Sequence, residues 1–165
     1  MRRLLLPALL MLTTSCGARP TAPPPSPAPT PRAAAPTPYR RAQFSADEVK
    51  KLNAWLPEKV REVLEQADRV ELFRVGGDKR SVVLEGDAKA ELLDAFYEGV
   101  IRPDPEYGCF KPHHWMRAKG GGDEVEIKVC FICKNFVGNS ARLGWFNGRV
   151  GGSPEAAFER ALQGG

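Results

Sequence analysis

A proline-rich stretch near the N-terminus limits how much of this chain can fold. Nine of the residues from 17 to 43 are prolines, and alanine, threonine and arginine make up most of the rest. Such a segment has too few apolar side chains to bury a core, and each proline holds φ close to the polyproline II value. We therefore predict a semi-rigid extended spacer at residues 16–43 and a single folded domain at residues 44–165.

The charge of that domain differs from the charge of the whole chain. The formal net charge of the chain is +4, but all six charged residues before residue 44 are arginines. The rest of the chain holds 18 basic and 20 acidic residues, so it is close to neutral. A domain without a strong positive field gives no reason to expect binding to nucleic acid.

The first 16 residues are typical of an export signal that ends at a cysteine. Two arginines precede an apolar run at residues 4–12, and three small polar residues then lead to Cys16. The layout resembles the signal peptide of bacterial lipoproteins. The resemblance implies that residues 1–15 are removed and that Cys16 carries a diacylglycerol and an N-acyl chain such as palmitate. An ordinary signal peptide that is cut near Gly17 or Ala18 is the alternative.

The lipid would fix where the protein works. The apolar run is too short to cross a bilayer, which takes about 20 residues, whereas two or three acyl chains anchor a protein stably. Glycine rather than aspartate follows Cys16. For a lipoprotein, this favours the outer membrane, with the domain facing the periplasm or the cell surface.

The pattern of the domain predicts an α+β fold. We expect a small antiparallel sheet of about four to six strands, built from hairpins, with helices packed mainly on one face. Trp55 and Trp145 are interpreted as core or rim residues. The predicted elements are helices from Ser45 to residue 67 with a break at Pro57, strands at 70–75 and 81–84 joined by a turn at 76–78, a helix capped by Asp87, strands at 113–119, 125–131 and 141–146, a type I′ turn at Asn147–Gly148, and a last helix from Ser153.

Five side chains that can bind metals or form disulfides are expected at one end of the hairpin that turns near residue 121. They are Cys109, His113, His114, Cys130 and Cys133. In an antiparallel hairpin the residue numbers of two paired positions add up to a constant, here called the pairing sum. A pairing sum of 242 places Cys109 opposite Cys133, and a sum of 243 places His113 opposite Cys130. Successive strand residues point to opposite faces, so Cys130 and Cys133 cannot share a face in a regular strand.

Three chemistries remain open for this cluster. In an oxidising compartment, Cys109 would pair with Cys133 or with Cys130 and leave one buried thiol. All five residues could instead hold a structural zinc ion, since C-x-x-C and Cys-x3-His are acceptable ligand spacings. The Cys-Phe-Ile-Cys string could also act as a thiol-redox site, although no helix start follows it to stabilise a thiolate.

The strings Cys-Phe-Lys-Pro-His-His at 109–114 and Cys-Phe-Ile-Cys at 130–133 resemble those of small exported bacterial proteins of unknown function. That resemblance implies no activity, and the sequence holds no recognisable catalytic set. We therefore expect a non-enzymatic module of the cell envelope, without a cofactor, that binds or scaffolds a protein or a small molecule. A zinc-binding or thiol-redox domain that uses the five-residue cluster is the alternative.

Overall fold

The computed structural model of the chain describes residues 44–76 and 80–164, which belong to one compact unit. These residues form four helices and six strands. In chain order the elements are α1 (Ala46–Trp55), α2 (Glu58–Gln66), β1 (Arg69–Arg74), β2 (Ser81–Glu85), α3 (Gly86–Ile101), β3 (His114–Gly120), β4 (Asp123–Cys130), β5 (Asn135–Ser140), β6 (Gly144–Arg149) and α4 (Glu155–Gly164).

The first two helices begin where the sequence predicts. The Ser45 hydroxyl accepts a hydrogen bond from the backbone N–H of Glu48, and the Glu48 carboxylate accepts one from the backbone N–H of Ser45. This reciprocal capping box satisfies two donors that a helix start leaves unpaired. Pro57 ends α1 and stands at the N-cap of α2, because proline cannot donate within a helix but suits its first turn.

The strands form one antiparallel sheet in the order β2-β1-β3-β4-β5-β6. The predicted α+β fold is therefore confirmed, with the six strands at the upper end of the expected number. His114 pairs with Val129, and Gly120 pairs with Asp123, so the central hairpin has the pairing sum of 243. This register decides which side chains reach each face.

Alternate residues of the strands divide between two environments. One face packs against the helices and supplies the core, in which Leu72, Met116, Ile127 and Phe136 are fully buried. The other face, which we call the open face, carries side chains that are half-buried or exposed. One pattern of alternation therefore produces both the core and a broad outer surface.

The C-terminal half departs from the predicted elements at its last two strands. No strand was predicted at residues 135–140, which form β5. Residues 141–146 were expected to form one strand followed by a turn at Asn147–Gly148. Instead, the chain turns at residues 141–143, and Asn147 and Gly148 lie inside β6. The turn prediction is wrong because Gly148 makes room for the neighbouring strand instead: it pairs with Phe136, and a Cβ at Gly148 would lie 2.5 Å from the Phe136 ring.

The start of α3 also differs from the prediction. The helix begins at Gly86, so Asp87 lies in its first turn and the N-cap position belongs to Glu85, which makes no capping bond with its side chain. Gly86 has a φ of 53°, which glycine adopts without strain. This backbone conformation lets β2 pass directly into the helix.

Several predictions fall outside the described residues. They are the signal peptide at 1–15, the lipidated Cys16, the spacer at 16–43 and the centre of the turn between β1 and β2 at 77–78. Within the described ranges, no helix has the length and apolar character that a membrane crossing requires.

Candidate functional site

The three cysteines of the domain meet at one end of the sheet. Cys109 lies in the segment 102–113, here called the disulfide loop, which joins α3 to β3. Cys130 is the last residue of β4, and Cys133 lies in the turn that leads into β5. A disulfide joins Cys109 and Cys133, whose Cα atoms are 5.5 Å apart. Of the two pairings that the sequence left open for Cys109, the structure therefore has the one with Cys133 and not the one with Cys130.

The third cysteine is next to that disulfide. Cys130 is a free thiol and fully buried. Its Sγ accepts a hydrogen bond from the backbone N–H of Cys133 at 3.3 Å. Asn135, which pairs with Cys130 across β4 and β5, donates from Nδ2 to the carbonyl oxygen of Cys109. The disulfide loop and the free thiol therefore share a small, closed corner of the sheet.

Polar contacts hold the disulfide loop against β5 and β6. The backbone N–H of Tyr107 donates to the carbonyl of Cys133, and the Glu106 carboxylate pairs with Arg149 at 3.4 Å. Asp104 pairs with Lys134 at 3.3 Å and accepts a hydrogen bond from the backbone N–H of Gly152. That backbone donor and Lys134 lower the pKa of Asp104.

The two histidines separate onto opposite sides of the sheet. His113 is exposed, whereas His114 is buried on the helix-covered face. Nε2 of His114 donates to Oε1 of Glu159 in α4 at 2.8 Å, and Arg74 holds the other carboxylate oxygen at 3.1 Å. The imidazole also packs against the rings of Phe131 and Phe158. Burial lowers the pKa of His114, and the bond to Glu159 offsets only part of this effect.

These positions bear directly on the zinc alternative. Two of the three sulfurs are bonded to each other, and the histidines face away from one another. In the described part of the chain, no group of three or more His, Cys, Asp and Glu side chains is placed to hold a metal ion. The five residues thus lie at the same end of the hairpin, as expected, without forming one ligand set.

The central strands carry a network of ion pairs on the open face. Arg117 pairs with Glu126 at 3.0 Å, with Glu124 at 3.4 Å and with Glu71 at 4.0 Å. These carboxylates raise the pKa of Arg117, the hydrogen bond to Glu126 first among them. Lys128 lies 4.2 Å from the centre of the Trp115 ring, within the range of a cation–π interaction. The charges in this region largely neutralise one another.

The outer strands β5 and β6 present a different surface. Trp145 is 74% exposed and stands directly opposite Asn139, while Asn147 stands opposite Val137. Residues directly opposite on one face have Cβ atoms about 5 Å apart. We call these four residues the tryptophan patch. It carries no formal charge, and its indole is the most exposed of the large hydrophobic side chains in the described chain.

Sequence reasoning missed two parts of this arrangement. It interpreted Trp145 as a core or rim residue, whereas the indole is 74% exposed on the open face. It also gave no role to Glu159, whose pairing with His114 spans 45 positions in the chain. The alternation of Arg117 and Lys119 in β3 with Glu124 and Glu126 in β4 was the signal from which the ion-pair network could have been found.

The chain matches no family model, and comparisons with curated protein sequences and with solved structures also find no match.

Proposed function

We propose that this protein is a non-enzymatic binding module of the bacterial cell envelope. In this proposal a lipid on Cys16 anchors the chain in the membrane, residues 16–43 form the stalk, and the tryptophan patch contacts a protein partner. The exposed indole of Trp145 on the open face is the observation that carries the proposal.

The physical character of the patch supports a protein partner. An exposed indole costs little conformational entropy on binding and buries a large apolar area, which is why tryptophan is enriched among the residues that dominate interfaces. Asn139 and Asn147 can form hydrogen bonds around such an anchor, and no charge in the patch would need desolvation. Trp145 and Asn147 of the patch belong to β6, an edge strand of the sheet to which an extended segment of a partner could add.

A crosslinking experiment tests the contact surface. The photoreactive residue benzoylphenylalanine would replace Trp145 in the full chain, which is then irradiated in the cells that express it. Val83 is the matched control, since it lies on the same face, is 52% exposed and belongs to the opposite edge strand. We expect a discrete protein adduct from position 145 and none from position 83. Equal adducts from both positions, or none from either, would contradict the proposal.

The anchor needs a separate test. We expect the full chain to incorporate labelled palmitate and to enter the detergent phase on partitioning with a nonionic detergent. The Cys16→Ala variant should lose both properties, because the thioether link requires the sulfur. Retention of the label in this variant would show that another residue carries the lipid, and absence of label from the unmodified chain would exclude the anchor.

A further inference from the structure

The corner that holds all three domain cysteines can do more than crosslink the fold. We propose that Cys130 is the attacking thiol of an internal thiol–disulfide exchange, which moves the bond from Cys109–Cys133 to Cys130–Cys133 and releases Cys109. This inference goes beyond the proposed binding function and does not depend on it.

Proximity is the first argument. The Cys130 sulfur lies 3.3 Å from the backbone nitrogen of Cys133, the residue whose sulfur it would attack. Cys130 directly precedes a tight turn at residues 131–134, and Cys133 lies within it, beside Lys134 with a φ of 60°. Residues three apart across a tight turn have Cα atoms within about 7 Å, close to the separation that a disulfide needs.

The backbone N–H of Cys133 points at the Cys130 sulfur. A backbone N–H that points at sulfur interacts more strongly when the sulfur carries a negative charge, and the thiolate is the attacking species.

The exchange balances without an external oxidant or reductant. The Cys130 thiolate attacks the Cys133 sulfur, a Cys130–Cys133 bond forms and the Cys109–Cys133 bond breaks. Cys109 leaves as a thiolate and takes up the proton that Cys130 gave away. The number of disulfides stays at one throughout, and only its position changes.

The two bonding states differ in what they expose. The free thiol is buried when it belongs to Cys130, whereas Cys109 lies on the exposed disulfide loop. After the exchange, only noncovalent contacts would retain that loop, among them the Tyr107–Cys133 backbone bond and the Glu106–Arg149 ion pair. The product is therefore a protein with an accessible thiol on a loosened loop.

Mapping of the free thiol tests the exchange directly. The full chain would be held in oxygen-free buffer without added thiol, quenched with acid, unfolded and alkylated before digestion with trypsin. Cleavage after Lys128 and Lys134 yields a peptide that contains both Cys130 and Cys133, while Cys109 lies in another peptide. Alkylation of the free thiol before digestion blocks later scrambling.

We expect the alkyl label to move from Cys130 to Cys109 with time. The 129–134 peptide should at the same time be released from its crosslink to the Cys109 peptide and appear two hydrogens lighter than its dithiol form. The rate should not depend on protein concentration, and it should fall as the pH is lowered, since the thiolate is the attacking species. The Cys130→Ser variant should give no label on Cys109.

Two results would overturn the inference. A label that stays on Cys130 at every pH would show that the thiol is inert. A label that appears on Cys133 would show that Cys130 attacks the Cys109 sulfur, which contradicts the assigned exchange.

Discussion

Phe136 and Val137 are consecutive residues of β5, yet they lie on opposite faces of the sheet. Phe136 is fully buried and packs edge-to-face on Phe96 of α3. Val137 points to the open face, where it stands next to Asn147 in the tryptophan patch. Because alternate side chains of a strand point to opposite faces, those on one face can pack in the core while those on the other contact other molecules.

The two faces should therefore respond differently to substitution. Burial of apolar area dominates the free energy of folding, and in this domain that area lies mainly on the helix-covered face. The open face has exposed ion pairs, which contribute little each, and an exposed indole. Changes on the helix-covered face should lower stability, and changes in the tryptophan patch should affect contacts with other molecules.

The largest difference is expected between the two neighbours in β5. We expect Phe136→Ala to lower the free energy of unfolding by about 3–5 kcal/mol, because it leaves a cavity beneath α3. Val137→Ala should cost less than about 1 kcal/mol, since the side chain is only half-buried. Denaturant unfolding of both variants measures the difference, and similar costs would remove the distinction between the faces.

Gly120 and Lys119 give a second pair of neighbours, at the end of β3. A Cβ at Gly120 would lie 2.5 Å from the carbonyl oxygen of Val63 and 2.7 Å from the amide nitrogen of Ala67. Because these atoms belong to the backbone at the end of α2, they cannot easily give way, and we expect Gly120→Ala to cost about 1–3 kcal/mol. Lys119→Ala, on the exposed side, should cost less than about 0.5 kcal/mol. Equal thermal shifts for both variants would contradict this close packing.

On the helix-covered face, the buried His114 should make the stability of the domain depend on pH. Since burial lowers the pKa of His114 below its ordinary 6.5, the unfolded chain takes up the proton first as the pH falls. The contribution of neutral His114 to the free energy of unfolding is complete above pH 6.5 and is lost below it, by at most about 1.4 kcal/mol per pH unit. We expect His114→Gln to reduce this acid loss. Unfolding curves of this variant and of the unmodified chain between pH 7.5 and pH 5 measure the difference, and equal slopes would refute the assignment.

The fold was more predictable than the site, for a physical reason. Secondary structure follows from local signals, so Ser45 with Glu48 and the alternation from Val125 to Val129 were sufficient to place α1 and β4. Placement of His114 against Glu159, or of Trp145 in the open, depends on register and on segments far apart in the chain. The choice of Cys133 as the partner of Cys109 had the same limit, since it depends on how the disulfide loop returns to the sheet.

The proposed division between the faces is tested most directly at Trp145. A photoreactive residue at Asn147 reports on partner contact without removing the indole, and it can be compared in chains that carry Trp145 or the Trp145→Ala change. The account predicts that Trp145→Ala alters the free energy of unfolding by less than about 0.5 kcal/mol and abolishes the adduct from position 147. An adduct of the same yield in both chains, with the fold intact, would contradict the account.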